Sequence, residues 1–272
     1  MKTPLPSGNP QLPDTINNQD THPLADFLWL AAGLLGALIL LMLVLAVAAH
    51  WLGPKLPYQW ERQWLSGNNP AQTEESASAA AGQQALQQLL DKLLQQEAEP
   101  LPVSVHWLPD EALPNAFATL GGHIFITRGL VQQVSSENAL AMVLAHEYAH
   151  IEQRHPAILL LEQLSFMVLA TLMGNDVAGT LGQHTGMLTI MAFSRDMERD
   201  ADARALQLLQ QHYGHTGGAS EFFDNMLQQR DEPGWSAMFQ THPLTAERIE
   251  RIAATQPGSG ALTPLPAVFK AP

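Results

Sequence analysis

Ser136 to Pro156 reads SENALAMVLAHEYAHIEQRHP, and this stretch decides how the rest of the chain is understood. Apolar side chains return at helical spacing from Ser136 to Arg154, and Pro156 disfavours helical geometry at the residue before it, so a helix ending there is predicted. Ala141, Val143, Leu144, Ala145, Ala149 and Ile151 surround the polar positions, which marks the helix as buried. Within it, His146-Glu147-Tyr148-Ala149-His150 is an HExxH pattern. Residues four apart share a helix face, so both imidazoles reach one metal ion; Glu147, about 100° round the helix, still reaches a water on that ion. The bland alternative, two incidental histidines on a surface helix, conflicts with the apolar flanks, because buried histidines need partners.

A catalytic zinc takes three protein ligands and keeps a fourth position for water. The chain has no cysteine, so the donors are His, Asp or Glu. A glycine and a third histidine close behind the motif would stand at positions 153 and 156, where the chain has Gln153 and Pro156. The other arrangement takes a glutamate from a later helix, and Ser194-Arg195-Asp196-Met197-Glu198-Arg199-Asp200-Ala201-Asp202 offers Glu198 as third ligand. Asp202, one turn further on the same face, is placed to hold a ligand imidazole by its second nitrogen. Without a metal this stretch would be a charged, solvated helix end.

Outward from this centre, residues 1–26 carry Pro4, Pro6, Gly8, Pro10 and Pro13 with no apolar period, and read as a disordered tail. Residues 27–52 are almost wholly apolar and exceed the roughly 20 residues that cross a bilayer, so a transmembrane helix is predicted. A cleaved signal peptide would start earlier behind a basic region, and a soluble core helix would carry a polar face. Lys55 and Arg62 after the helix, against Asp14, Asp20 and Asp26 before it, lean towards a cytoplasmic C-terminal domain; Lys2 and the terminal amine nearly balance them, so the side is left open. Residues 53–82 read as a juxtamembrane segment and linker, with Tyr58, Trp60 and Trp64 as an interfacial belt and 66–82 as flexible chain.

The catalytic domain is expected over 83–255. It opens with an amphipathic helix from Gln84 to Glu97, followed by a strand in which Val103, Val105 and Trp107 alternate and a second strand from His123 to Thr127. The apolar run from Ala157 to Met173, interrupted by Glu162 and Gln163, reads as a lid over the cleft rather than a hairpin through the membrane. Residues 256–272, rich in proline and glycine, read as a loose tail. A net charge of −13 leaves no broad basic surface, which excludes nucleic acid as a partner.

With these motifs in order, the chain resembles the HtpX and CAAX-prenyl-protease type of zinc metallopeptidases. The resemblance is carried by HExxH at 146–150, the SRxxExxAD block at 194–202, Asn115-Ala116-Phe117, the Gly-Gly-strand-Thr127 segment, and Thr241-His242-Pro243 with Glu247-Arg248. It implies a mainly α (α+β), zincin-type, gluzincin-like catalytic domain with a small sheet, preceded by one transmembrane helix. It also implies one zinc ion per subunit, hydrolysis of peptide bonds in unfolded, damaged or flexible proteins, and a single-pass location in a bacterial inner membrane. By the same comparison Asn115, Ala116, Gly122, His123, Ile124 and Phe125 form the edge that receives an extended substrate. His242 and Arg248 would lie beside the metal, steadying the reaction's tetrahedral stage or plugging the resting site.

Two other classes stay open on the residues alone: a zinc-binding chaperone-like or interaction module with a plugged or inactive site, and a zinc hydrolase acting on lipid or another amide. Specific prenyl-protein processing fits less well, since that branch has many membrane spans. His155, His184, His212 and His215 carry no spacing argument and are read as ordinary residues. Oligomeric state is not encoded in these motifs.

Overall fold

The computed structural model describes residues 23–65, 77–173, 193–228, 238, 241–243, 245–255 and 260–270. Residues 1–22 of the tail expected at 1–26, most of the linker (66–76) and the glycine-rich run 179–186 lie outside the described residues, as does the side chain of Trp64, while residues 23–26 of that tail are helical. The chain divides into two compact units after Leu45.

Helix α1 (Pro23–Leu52) has 30 residues, which at 1.5 Å per residue span about 45 Å. Leu28, Trp29, Leu34, Ile39 and Leu43 are all exposed, and it is the one helix among the described residues long and apolar enough to cross a membrane.

The second unit is mainly helical with one small sheet. A 3₁₀ turn (Gly53–Lys55) leads into α2 (Tyr58–Leu65), and α3 (Ala77–Leu93) follows. Helix therefore begins within the stretch expected to be flexible linker. The reason is packing: Ala79 is buried, and Gly82 lies so close to the indole of Trp107 that a Cβ would stand 2.8 Å from the ring. The apolar stripe of Leu86, Leu89, Leu90 and Leu93 is buried as its spacing predicts.

Strands β1 (Ser104–Leu108), β2 (Ala116–Thr119) and β3 (His123–Thr127) form a sheet in the order β1-β3-β2. The central strand β3 pairs parallel with β1 and antiparallel with β2. The outer edge of β1 is closed by glutamines of α3: Gln87 Oε1 accepts from the Val105 N–H at 2.9 Å and Gln83 Oε1 from the Trp107 N–H at 2.6 Å. Covering an edge in this way removes a template for unwanted pairing. No strand pairs with the outer edge of β2 among the described residues. This corrects the expectation that His123, Ile124 and Phe125 offer a substrate edge, because β3 already spends its backbone groups on both neighbours.

After α4 (Arg128–Val131) comes α5 (Glu137–Glu152), the centre of the unit, buried continuously from Asn138 to Ile151. Ser136 caps it, its hydroxyl accepting from the Ala139 N–H at 3.2 Å. The helix breaks at Gln153 and Arg154, where Arg154 adopts φ 65°, and α6 (His155–Met173) leaves in a new direction. Helix α7 (Arg195–Tyr213), capped by Ser194 and closed by Gly214 at φ 75°, packs along α5; α8 (Glu221–Gln228) and α9 (Ala246–Ala254) complete the unit. Residues 260–270, expected to be loose, instead pack. The Thr263 carbonyl accepts the free N–H of Glu137 at 2.9 Å, the Thr263 N–H reaches Asn138 Oδ1 at 2.8 Å, and Leu265 is buried. The segment answers the unpaired amides that open α5.

Candidate metal centre

The side chains of His146, Glu147 and His150 all project from α5 into the interior, and all three residues are buried. His146 Nε2 and His150 Nε2 face each other at 3.1 Å. Helix α7 brings Glu198 opposite them, its carboxylate oxygens 3.5 Å from each of these two nitrogens. His242, carried on the approach to α9, places Nδ1 2.9 Å from Glu198 Oε1 and 3.4 Å from His146 Nε2. One ligand atom from each of the four residues lies within 4.8 Å of the others.

These spacings test whether a metal fits. Donors about 2.0–2.2 Å from a tetrahedral zinc stand about 3.3–3.6 Å apart. The two imidazole nitrogens stand 3.1 Å apart, a little under that spacing, and each lies 3.5 Å from a different oxygen of Glu198, so the carboxylate faces both nitrogens across the space one ion would take. The donor chemistry, two imidazoles and a carboxylate, suits zinc among divalent metals.

The outer nitrogens of the two α5 histidines are held differently. His146 Nδ1 lies 3.1 Å from Asp202 Oδ1. Asp202 in turn receives two hydrogen bonds from Arg248, from Nε and Nη2, each 2.8 Å. Arg248 also pairs through Nη1 with Glu198 and donates to the Pro243 carbonyl at 3.2 Å. His150 Nδ1 meets His155 Nδ1 at 2.8 Å, and Phe193 stacks on the His150 ring with centroids 3.8 Å apart. Ile158, Leu159, Phe193 and Met197 form a small apolar cluster of their own at the start of α6 and α7.

Electrostatics follow from burial and from these contacts. Burial works against charge on His146, but Asp202 and Glu198 outweigh it and raise its pKa to about 10. Burial, reinforced by His146, holds His150 well below the ordinary histidine range. Burial also opposes the Glu198 carboxylate, yet His242 and His146 keep it well below the usual carboxylate range. Glu147 goes the other way: burial raises its pKa, against the pull of His242, His146 and the Ala118 backbone amide.

The sequence-derived residues thus divide. His146, Glu147, His150, Glu198, Asp202, His242 and Arg248 come together in one buried cluster. Asn115 and Ala116 sit at the start of β2, where Thr127 Oγ1 accepts the Asn115 N–H at 2.9 Å. Gly122, expected on the substrate edge, instead faces α2: at φ 81°, a Cβ there would collide with the Tyr58 hydroxyl. His155, read as ordinary, is 4 % exposed and packs on a candidate ligand. Its position in an RHP sequence just past the motif helix was the one available signal.

The family description "Peptidase family M48" matches residues 80–256, well over half of the chain. The chain belongs to peptidase family M48. Among M48 relatives it is 34% identical over 145 residues to the "Mitochondrial metalloendopeptidase OMA1" of Schizosaccharomyces pombe, covering 51% of this chain and 42% of that protein. It is 31% identical over 152 residues to the "Putative beta-barrel assembly-enhancing protease" of Vibrio cholerae, covering 50% of this chain and 31% of the other. The "Beta-barrel assembly-enhancing protease" of Escherichia coli matches at 30% over 152 residues, with the same 50% and 31% coverage. The chain spans less than half the length of these M48 relatives. The HtpX-type resemblance agrees with this assignment, and the His-His-Glu-His cluster falls inside the matched residues.

Proposed function

We propose that this chain is a membrane-anchored zinc metalloendopeptidase that hydrolyses peptide bonds in unfolded or flexible protein segments. The observation that carries the reading is the convergence of His146, His150 and Glu198 within reach of one ion, with the buried carboxylate of Glu147 on the same helix as the two histidines. Bound zinc supplies a Lewis acid for the scissile carbonyl and brings the pKa of water down to about 7. Glu147 takes the proton of the attacking water and delivers it to the leaving amine; a carboxylate whose pKa burial has raised suits both transfers. Arg248 serves as a brace, since its guanidinium is committed to Asp202 and Glu198.

The outer edge of β2 is the surface we assign to the substrate. The Ala118 backbone amide acts on Glu147, so an extended peptide added beside β2 would pass the general base, gaining backbone hydrogen bonds with little demand on sequence. Helix α1 is the anchor, and the relatives named beta-barrel assembly-enhancing proteases support substrates that are themselves in the course of assembly. A role in quality control of membrane or envelope proteins follows from that.

A second reading is favoured by His242, which is 1 % exposed and whose Nε2 lies 3.4 Å from Glu147 Oε1. There it fits a fourth ligand that plugs a resting site. Zinc content and cleavage of an unfolded protein such as casein, measured on full-length protein in detergent, separate the two. Glu147→Gln should keep one zinc and lose cleavage; cleavage by that variant at the wild-type rate would sink the assignment of the base. A wild type that holds zinc and cuts nothing, but cuts once His242 is changed to Ala, would establish the plug.

A further inference from the structure

The last residues of α1 and the segment that follows belong to the same compact unit as the metal centre. The segment is held at several places, two of which bear on the sheet and on the corner that follows α5. Tyr58 donates its hydroxyl to the Pro102 carbonyl at 2.7 Å and lies against Gly122. Glu61 pairs with Arg154 through both guanidinium arms, Nη1 reaching Oε2 at 3.1 Å, and Arg154 Nη2 also donates to the Leu56 carbonyl at 2.9 Å. Arg154 stands at the corner between α5 and α6 in a left-handed conformation that side chains other than glycine rarely adopt. The bonds to Glu61 and Leu56 hold it there, and the next residue is His155.

Geometry then constrains the protons. His150 faces His146 and Glu198 with Nε2, the side on which a metal would sit. For Nε2 to offer its lone pair, the His150 proton must be on Nδ1, and the group 2.8 Å from Nδ1 is His155 Nδ1. That atom must be the acceptor, which puts the His155 proton on its own Nε2. His146 meets the same requirement through Asp202, tied to Arg248 from the C-terminal side. We propose that His155 is a positioning residue for the ligand His150, and that the juxtamembrane segment holds it in place through the Glu61–Arg154 pair. The metal centre is braced from both ends of the chain, and the membrane-proximal segment is part of its support. The inference rests on the reading of His150 as a zinc ligand and adds a residue and a segment to it.

The experiment is zinc affinity by chelator competition, and zinc release to a chromogenic chelator, on full-length protein in detergent. His155→Leu removes the acceptor and keeps an apolar side chain; His155→Asn restores an acceptor at the position of Nδ1. Removing such an outer partner typically weakens metal binding by about 10–100-fold. We expect a loss in that range for His155→Leu, recovery to within a few-fold of wild type for His155→Asn, and a smaller loss for Glu61→Gln. Equal affinities for His155→Leu and His155→Asn, with apo-protein helicity unchanged by circular dichroism, would overturn the role of His155. Wild-type affinity in Glu61→Gln would overturn the role of the juxtamembrane segment. His150→Ala, measured alongside, separates this inference from its foundation: if that variant keeps wild-type zinc affinity, the ligand set itself is wrong. If it loses zinc while His155→Leu does not, only the positioning role falls.

Discussion

His146 and His150 stand one turn apart on the same buried helix, yet their outer nitrogens are held by opposite chemistry. His146 leans on a carboxylate that is itself locked to a guanidinium; His150 leans on a second imidazole. The consequence shows in their protonation. The carboxylates draw a proton onto His146, up to a pKa of about 10, whereas the pull of Glu198 on His150 falls short of the burial that opposes it. A carboxylate partner makes an imidazole more basic and so a stronger donor to a metal. The two ligands therefore differ in what they give: one strength of donation, the other chiefly orientation.

The largest test breaks the charged side. Arg248→Ala leaves Asp202 and Glu198 buried without their guanidinium, and removing one partner of a buried ionic network costs about 3–5 kcal/mol. The expected outcome is a drop of that size in unfolding free energy, read from denaturant midpoints in detergent. On the other side, Glu61→Gln should cost far less, because Arg154 keeps its bond to the Leu56 carbonyl. Equal losses would mean that the two supports are equivalent.

Next comes pH. A protonated imidazole has no lone pair to give, so zinc must displace the proton from His146. Below pH 10 the apparent zinc affinity should fall about tenfold per unit of acidification on account of this residue. Asp202→Asn removes one of the two charges that hold the proton, the other being Glu198. The variant should bind zinc more weakly at pH 9 by roughly 10–100-fold, and with a shallower pH slope between 7 and 9. Competition titrations across that range check both; an unchanged slope would remove Asp202 as a source of the raised pKa.

The contrast also explains what could be read from the residues. The charged side was legible because helical spacing puts Glu198 and Asp202 on one face, and acidic side chains one turn apart announce themselves. His155 was not legible. Its ring reaches His150 only because Arg154 turns the chain at φ 65°, and what holds that turn is Glu61, 93 positions away. The two longer-patterned strands were visible in alternation, while β2 has four residues, too few to show a period. The resemblance placed the substrate edge on Asn115 and Ala116 as well as on the strand from His123, and the pairing leaves the open side with β2 among the described residues. The packing of residues 260–270 was hidden for another reason: it is made by backbone groups meeting the opening amides of α5, and no side-chain pattern records it.

The smallest effects probe how the juxtamembrane segment is attached. Gly122→Ala meets both a backbone at φ 81° and the Tyr58 hydroxyl, so it should cost about 1–3 kcal/mol, the range for a residue forced into a sparsely populated conformation. Tyr58→Phe removes the same hydroxyl without forcing anything apart. Its bond to the Pro102 carbonyl is exposed, so water replaces it, and the loss should stay within about 0.5–1.5 kcal/mol. Combined, the two changes should cost less than their sum, because the phenyl ring vacates the space that the methyl added at Gly122 needs. A double-mutant cycle on unfolding free energies measures this coupling. Strict additivity would show that the cost at Gly122 comes from its backbone conformation and not from the contact with Tyr58.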